Sequence, residues 1–177
     1  MSVVIQNQAK IHRWALWLMV KQLAKKAGIH KYVISGSYRR GKWWCNDIDL
    51  LVPIKSQAEG EGIKVMLKKL GWKPTPNRAA DNEVVFSTQF LKKTTNGIIV
   101  LDLFLAPQGS WGNCLLFTTG PKSFNDDIRE KLIAGGYSWS NPRYYTHILS
   151  NKMLSFDSES GALAFLNKPW IAPHRRK

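Results

Sequence analysis

Apolar residues recur at Leu16, Met19, Val20, Leu23 and Ala27, the i, i+3, i+4, i+7, i+11 spacing of one helix face. The spacing predicts a helix over residues 6–27, closed by Gly28. Gln22, Lys21, Lys25 and Lys26 fall on its other side, a solvated face that would track phosphates if it bordered a cleft. A short strand over 31–35 then enters a turn at Gly36-Ser37. Ser56 with Glu59 three later forms a capping box ahead of the face Ile63, Met66, Leu67 and Leu70, ended by Gly71. Pro74, Pro76, Asn77 and Arg78 mark a loop. Strands are expected over 83–91 and 97–105, joined by 92–96 with an Asn96-Gly97 turn signal. The glycines and proline of 106–113 predict a hinge. Ser123 reads as the N-cap of a helix to Ala134, stopped by Gly135-Gly136. Strand and turn follow over 137–149, then a short helix over 158–166 capped by Asp157 or Ser158. Strands and helices are mixed, so the expected class is α+β.

Charge narrows the partners. The 177 residues carry a net charge of +14, which argues for a polyanion, nucleic acid first and an anionic membrane second. Nine lysines and arginines precede Asp47, with no acidic residue among them. Both parts of the chain are basic: 17 basic and 7 acidic residues up to Ala106, then 9 and 5. Cys45 and Cys114 supply neither a disulfide framework nor zinc spacing and read as small buried residues. His12, His30, His147 and His174 are scattered. The apolar run from Trp14 to Val20 is too short to span a bilayer, and lysines stand where a cleavage site should be. The expectation is a protein without signal peptide or membrane partner, in a reducing intracellular compartment.

The chemistry concentrates in SGSYRRGKWWCNDIDLLV, residues 35–52. Residues two apart on a strand share a face, which sets Asp47 and Asp49 about 6–7 Å apart. Such carboxylates repel unless a cation lies between them, and hard oxygen donors suit Mg2+. Asp102 sits inside the apolar run Ile98 to Leu105, where an unpaired acid costs several kcal/mol to bury. Three convergent carboxylates can hold two metals about 4 Å apart. Upstream, Gly36, Ser37, Arg39 and Arg40 offer the backbone N–H, hydroxyl and guanidinium donors that a triphosphate needs. Trp43 and Trp44 are read chiefly as packing groups, with base stacking as the alternative for one of them. The tail Arg175-Arg176-Lys177 reads as a solvated end.

The sequence G-S-x-R-R-G, then D-x-D, then a distant strand aspartate, resembles the nucleotidyltransferase signature of DNA polymerase family X. Phe117-Thr118-Thr119-Gly120 and the run Ser123 to Arg129 resemble the start of that family's thumb. Asp157-Ser158-Glu159 and Trp170 to Arg175 resemble its C-terminal part. The resemblance implies a palm over 1–106, a mixed or antiparallel sheet with flanking helices, and a small α/β thumb over 107–177, without lyase or fingers domains. It implies that Asp47 and Asp49 bridge two Mg2+ ions, with Mn2+ able to substitute, and that Asp102 completes the site at the attacking hydroxyl. Ser37 and Arg40 would contact the triphosphate, aided by Gly36 and Asn46. Phe117 and Gly120 would border the nucleotide, and Asn125 and Arg129 the minor groove of the nascent pair. The implied activity is template-directed, repair-type DNA synthesis by a monomer, with deoxynucleoside triphosphates and primer-template or gapped DNA as substrates. The alternatives are a template-independent nucleotidyltransferase acting on RNA, protein or a small molecule, and a non-catalytic basic nucleic-acid-binding module. Phe117-Thr118 stands where the family usually has an aromatic pair, which implies weaker discrimination between sugars.

Overall fold

The computed structural model describes residues 7–75 and 87–176. Pro76, Asn77, Arg78, the first residues of the strand expected over 83–91, Gln6 and Lys177 lie outside them. A two-residue strand, β1 (Ile11–His12), leads directly into α1 (Arg13–Ala27). The helix therefore starts later than its periodicity suggested, because the chain ahead of it is extended and pairs with strand. Gly28 ends it in the left-handed region as expected. Next come β2 (Val33–Ile34) and α2 (Gly36–Arg39). The expected Gly36-Ser37 turn is thus one turn of helix, which aims its N–H groups and side chains together. β3 (Trp44–Cys45) pairs antiparallel with β1, and β4 (Ile48–Ile54) follows. α3 (Gln57–Lys69) starts at the capping box, with Glu59 N donating to Ser56 Oγ at 3.2 Å.

After β5 (Lys73–Pro74), β6 (Ser87–Thr94) and β7 (Gly97–Pro107) form a hairpin tighter and longer than expected, with two residues between strands. These complete a five-stranded mixed sheet in the order β2-β4-β7-β6-β5, in which only β4 and β7 run parallel. Alternation assigns its faces. Ile48, Leu50, Val52, Leu101, Leu103 and Leu105 are buried in one core with Leu16, Val20 and Leu23 of α1 and Ile63 and Leu67 of α3. The opposite face carries Asp49 and Leu51 on β4, with Asp102, Phe104 and Ala106 on β7.

The segment 106–113, expected as a hinge, holds the end of β7, a turn and the first residues of α4 (Trp111–Thr119). This helix is buried on nearly every side, so it has no amphipathic period to betray it. Its Cys114 and Leu115 cover Leu51 and Ala106 on the aspartate face of the sheet. Gly112 permits a close approach, since a Cβ there would stand 2.3 Å from the Ser158 backbone. α5 (Lys122–Ala134) is capped by Pro121, not by Ser123, which lies inside its first turn. β8 (Tyr137–Ser138), β9 (Tyr145–His147) and β10 (Met153–Leu154) form a second, three-stranded antiparallel sheet. α6 (Glu159–Ala164) is capped by Ser158, whose Oγ accepts from Gly161 N at 3.1 Å. Leu116, Phe124, Ile128, Leu132, Tyr145 and Leu163 share the core of this half. A 3₁₀ turn, Pro173–Arg175, closes the described chain. Among the described residues no helix is long and apolar enough to cross a membrane, and the two cysteines are free and buried.

Candidate active site

The parallel ladder between β4 and β7 sets Asp49 opposite Asp102. Register partners in a parallel pair point to the same face, so both carboxylates rise from one side of the sheet. Asp47 precedes β4 by one residue, at a bend rather than within the strand. The three acids feel one another. Burial pushes Asp49 well above the usual carboxylate range, and the charges of Asp47 and Asp102 push it further. Asp102 is raised by burial and by Asp47, against a hydrogen bond from Gln89 Nε2 to its Oδ1 at 3.0 Å. Asp47 is raised by burial, with its own backbone hydrogen bond and Arg40 opposing. An arrangement that penalises its own ionisation gains from a bound cation. Three carboxylates are donors of the kind a hard divalent ion takes. Among the described residues, however, no three His, Cys, Asp or Glu side chains already enclose a common point. One oxygen of Asp102 is held by Gln89 instead.

Beside the acids opens a cleft of about 770 Å³. Its acidic side is Asp47 and Asp49, and its basic side is Lys10, Arg40, Lys42, Lys122 and Arg129. Gly36, Ser37 and Asn46 line it from the first half of the chain; Phe117, Gly120 and Asn125 line it from the second. The site residues expected from the sequence border this cleft except Asp102, which adjoins it through Asp49, and Arg39. Gly36 sits at φ +53°, and a Cβ there would fall 1.6 Å from Asp49 Oδ2. Only glycine fits between helix α2 and that carboxylate. Ser37 Oγ is buried with no hydrogen-bond partner among the described residues. The same holds for Asn125 Oδ1, while its Nδ2 donates to Phe117 O at 2.9 Å. Unpaired buried polar atoms are costly and mark places where a ligand supplies the missing partner. Arg129 Nη1 donates to Asp126 Oδ1 at 2.8 Å, and its guanidinium lies over Phe117 and Trp139. Asn46 O accepts from Gln8 Nε2 at 2.8 Å.

The two arginines of α2 part company. Arg40 donates through Nη1 to Thr119 O and still moderates the charge of Asp47 and Asp49. Arg39 turns away from the cleft, so it is not the triphosphate donor its position suggested. It makes a bidentate pair with Glu159 at 2.8 and 2.7 Å and donates to Thr119 Oγ1 at 2.8 Å. Glu159 also accepts from Arg176 Nη1 at 2.9 Å. Arg176 is therefore no frayed end: its side chain is fully buried, and it donates from Nε to Ile171 O. Burial raises the Glu159 pKa, but hydrogen bonds and charge from both arginines outweigh it and hold the group below its ordinary value. This network ties α2, α4 and α6 together across the chain's two halves. A lone glutamate between two serines gave no sign of it. Nor did the sequence show that Gln89 reaches Asp102, a cross-strand contact fixed by hairpin register. Trp43 and Trp44 are both exposed, so neither packs in the core. Trp43 lies at a bend and Trp44 in a two-residue strand whose Cys45 takes the buried position.

DNA polymerase lambda of Arabidopsis thaliana is 25% identical over 168 residues, a match covering 81% of this chain and 31% of that protein. This chain resembles a DNA polymerase. At that identity the likeness supports family X at most, and no family model matches the chain. The chain spans about a third of the length of the curated relative it matches. The matched relative thus gives a direction for the reading of the cleft, and the cleft's own residues have to carry its chemistry.

Proposed function

We propose that this protein is a nucleotidyltransferase of the DNA polymerase family X kind, extending a DNA 3′-hydroxyl from a deoxynucleoside triphosphate opposite a template. The pairing of Asp49 with Asp102 on one face of the sheet, beside a basic cleft with an unpartnered Ser37 hydroxyl, carries this reading. The distant match to a DNA polymerase agrees with it. Asp47, Asp49 and Asp102 are the proposed holders of two Mg2+ ions, or Mn2+ in their place. Bound there, the metal supplies a lowered pKa for the attacking hydroxyl and charge neutralisation on the phosphates. The protein's own part is placement. Ser37 Oγ donates to a phosphate oxygen, Arg40 adds its charge, and backbone N–H groups near Gly36 and Asn46 complete the cradle. Gly120 and Phe117 face the sugar and base. Asn125 presents its amide N–H to the nascent pair and Arg129 leaves Asp126, each donating to minor-groove acceptors common to all pairs. Residues 1–106 act as the palm and 107–177 as the thumb, with Arg39, Glu159 and Arg176 holding the thumb near the nucleotide.

Primer extension on recessed and gapped duplexes tests this. With Mg2+ and single nucleotides, only the complementary one should be added, and Asp102→Ala should abolish addition while leaving duplex binding intact. Addition of every nucleotide regardless of template would replace the reading with a template-independent transferase. Binding without any addition would leave a silent nucleic-acid-binding module.

A further inference from the structure

Outside the cleft, the outer face of α1 is not the polar surface expected of a solvated helix. Trp14, Trp17, Leu18, Lys21 and Lys25 recur at i, i+3, i+4, i+7 and i+11, opposite the buried Leu16, Val20 and Leu23. Trp14 is 64% exposed and Trp17 36%. The β1–β3 pair continues this surface. Ile11 and Cys45 are partners and face the core, so alternation turns His12 and its partner Trp44 outward. Trp43 and Trp44 are 65% and 59% exposed. Arg13 N donates to Trp43 O at 2.8 Å, joining the tryptophan turn to the start of α1.

The rings are propped rather than buried. His12 stacks on Trp43 with centroids 6.1 Å apart and meets Trp44 edge-on at 5.1 Å. Trp14 and Trp17 meet edge-on at 6.1 Å, and Lys21 Nζ lies 4.9 Å from the Trp17 ring centre. Edge-on pairing supports a ring while leaving much of its face to an incoming group. Every formal charge carried by β1, α1 and the tryptophan turn is positive, because no acidic residue occurs before Asp47. Trp44, Lys10 and Lys42 also line the cleft, so the tryptophan turn reaches its edge.

We infer that Trp14, Trp17, Trp43 and Trp44 form a stacking platform for an unpaired DNA strand whose backbone is tracked by Lys10, Lys21, Lys25 and Lys42. A duplex keeps its base faces stacked on one another and offers nothing to an indole plane; splayed bases do. The interleaved lysines match the phosphates between those bases. Continuity with the cleft sets the strand where a template passes beyond its last paired base. The platform does not depend on transfer chemistry at the aspartates, so a protein inactive in extension would keep it.

The test is fluorescence anisotropy at fixed salt, without nucleotide or metal, using a short oligothymidine, an abasic strand of equal length, and a blunt duplex. Trp43→Ala and Trp14→Ala should each weaken oligothymidine binding by roughly five- to a hundred-fold. Trp43→Phe, which keeps a stackable ring, should restore most of it. Neither change should alter the blunt duplex, and Asp102→Ala should leave oligothymidine binding unchanged. Equal binding of the abasic strand would overturn the proposal, since bases would then not be read. Equal loss on the blunt duplex would overturn it too. Tighter binding of oligouridine would overturn the choice of DNA. Binding to phosphatidylserine vesicles that needs these tryptophans, with oligothymidine unaffected, would make the surface a membrane contact instead.

Discussion

At the residue scale the acids govern behaviour. Asp49 has a raised pKa in the fold, so its ionised form costs the folded state stability. Stability contributed by the protonated form is lost as pH rises above the ordinary value of 3.8 and on through the raised one, so the cost grows with pH across that window. Asp49→Asn should therefore raise the melting temperature in a chelating buffer at pH 7, and the gain should shrink in acid. Mg2+ should raise the wild-type melting temperature and have less effect on the variant. Gln89 supplies the opposite sign at Asp102, since its hydrogen bond favours the carboxylate. In Gln89→Ala the Asp102 pKa should climb, moving the acidic limb of the pH–rate profile to higher pH. A uniform loss at all pH values would show that Gln89 serves only to pack.

At the element scale, α2, α4 and α6 stand or fall with one buried carboxylate. Glu159 is held below its ordinary value of 4.5, so its contribution is present above that pH and lost as pH falls through the lowered value. Glu159→Ala should cost about 3–5 kcal/mol by urea unfolding, because it strands the buried Arg176 charge. The elements also show what the sequence could tell. α1 and α3 were legible because each has one wet and one dry side, and 3.6-residue periodicity records that. β4 and β7 were legible as apolar runs because both sheet faces are covered, and the aspartates stood out against them. α4 was not, because burial all round erases the period and Gly112 looks like a breaker until Ser158 is seen against it. Of the cleft, Asp47, Asp49, Ser37 and Arg40 come from one stretch and could be read together. Glu159 and Gln89 could not, since their partners lie 120 and 13 residues away and only folding selects them.

Taking the whole molecule, positive charge and the placement of its two halves act together. Five basic residues line a cleft bordered by both halves, and the acids before Ala106 all lie at or after Asp47. Duplex affinity should fall linearly on a log–log plot against salt, with a slope near −0.9 for each phosphate neutralised. Substituting Lys122, which lines the cleft, should reduce that slope by about one, as read from titrations across salt concentrations. A slope near zero would remove the duplex from the cleft.

The β4–β7 register also decides which lengths of chain are tolerable. One codon added to the hairpin at Thr95 or Asn96 only enlarges a surface turn. One codon added between Gly97 and Asp102 turns every later side chain of β7 over. Leu101, or the added residue itself, would then stand next to Asp49, with Asp102 pressed into the greasy side beneath α1. Selection among random insertions should leave survivors at the turn and a silent gap six residues long just after it.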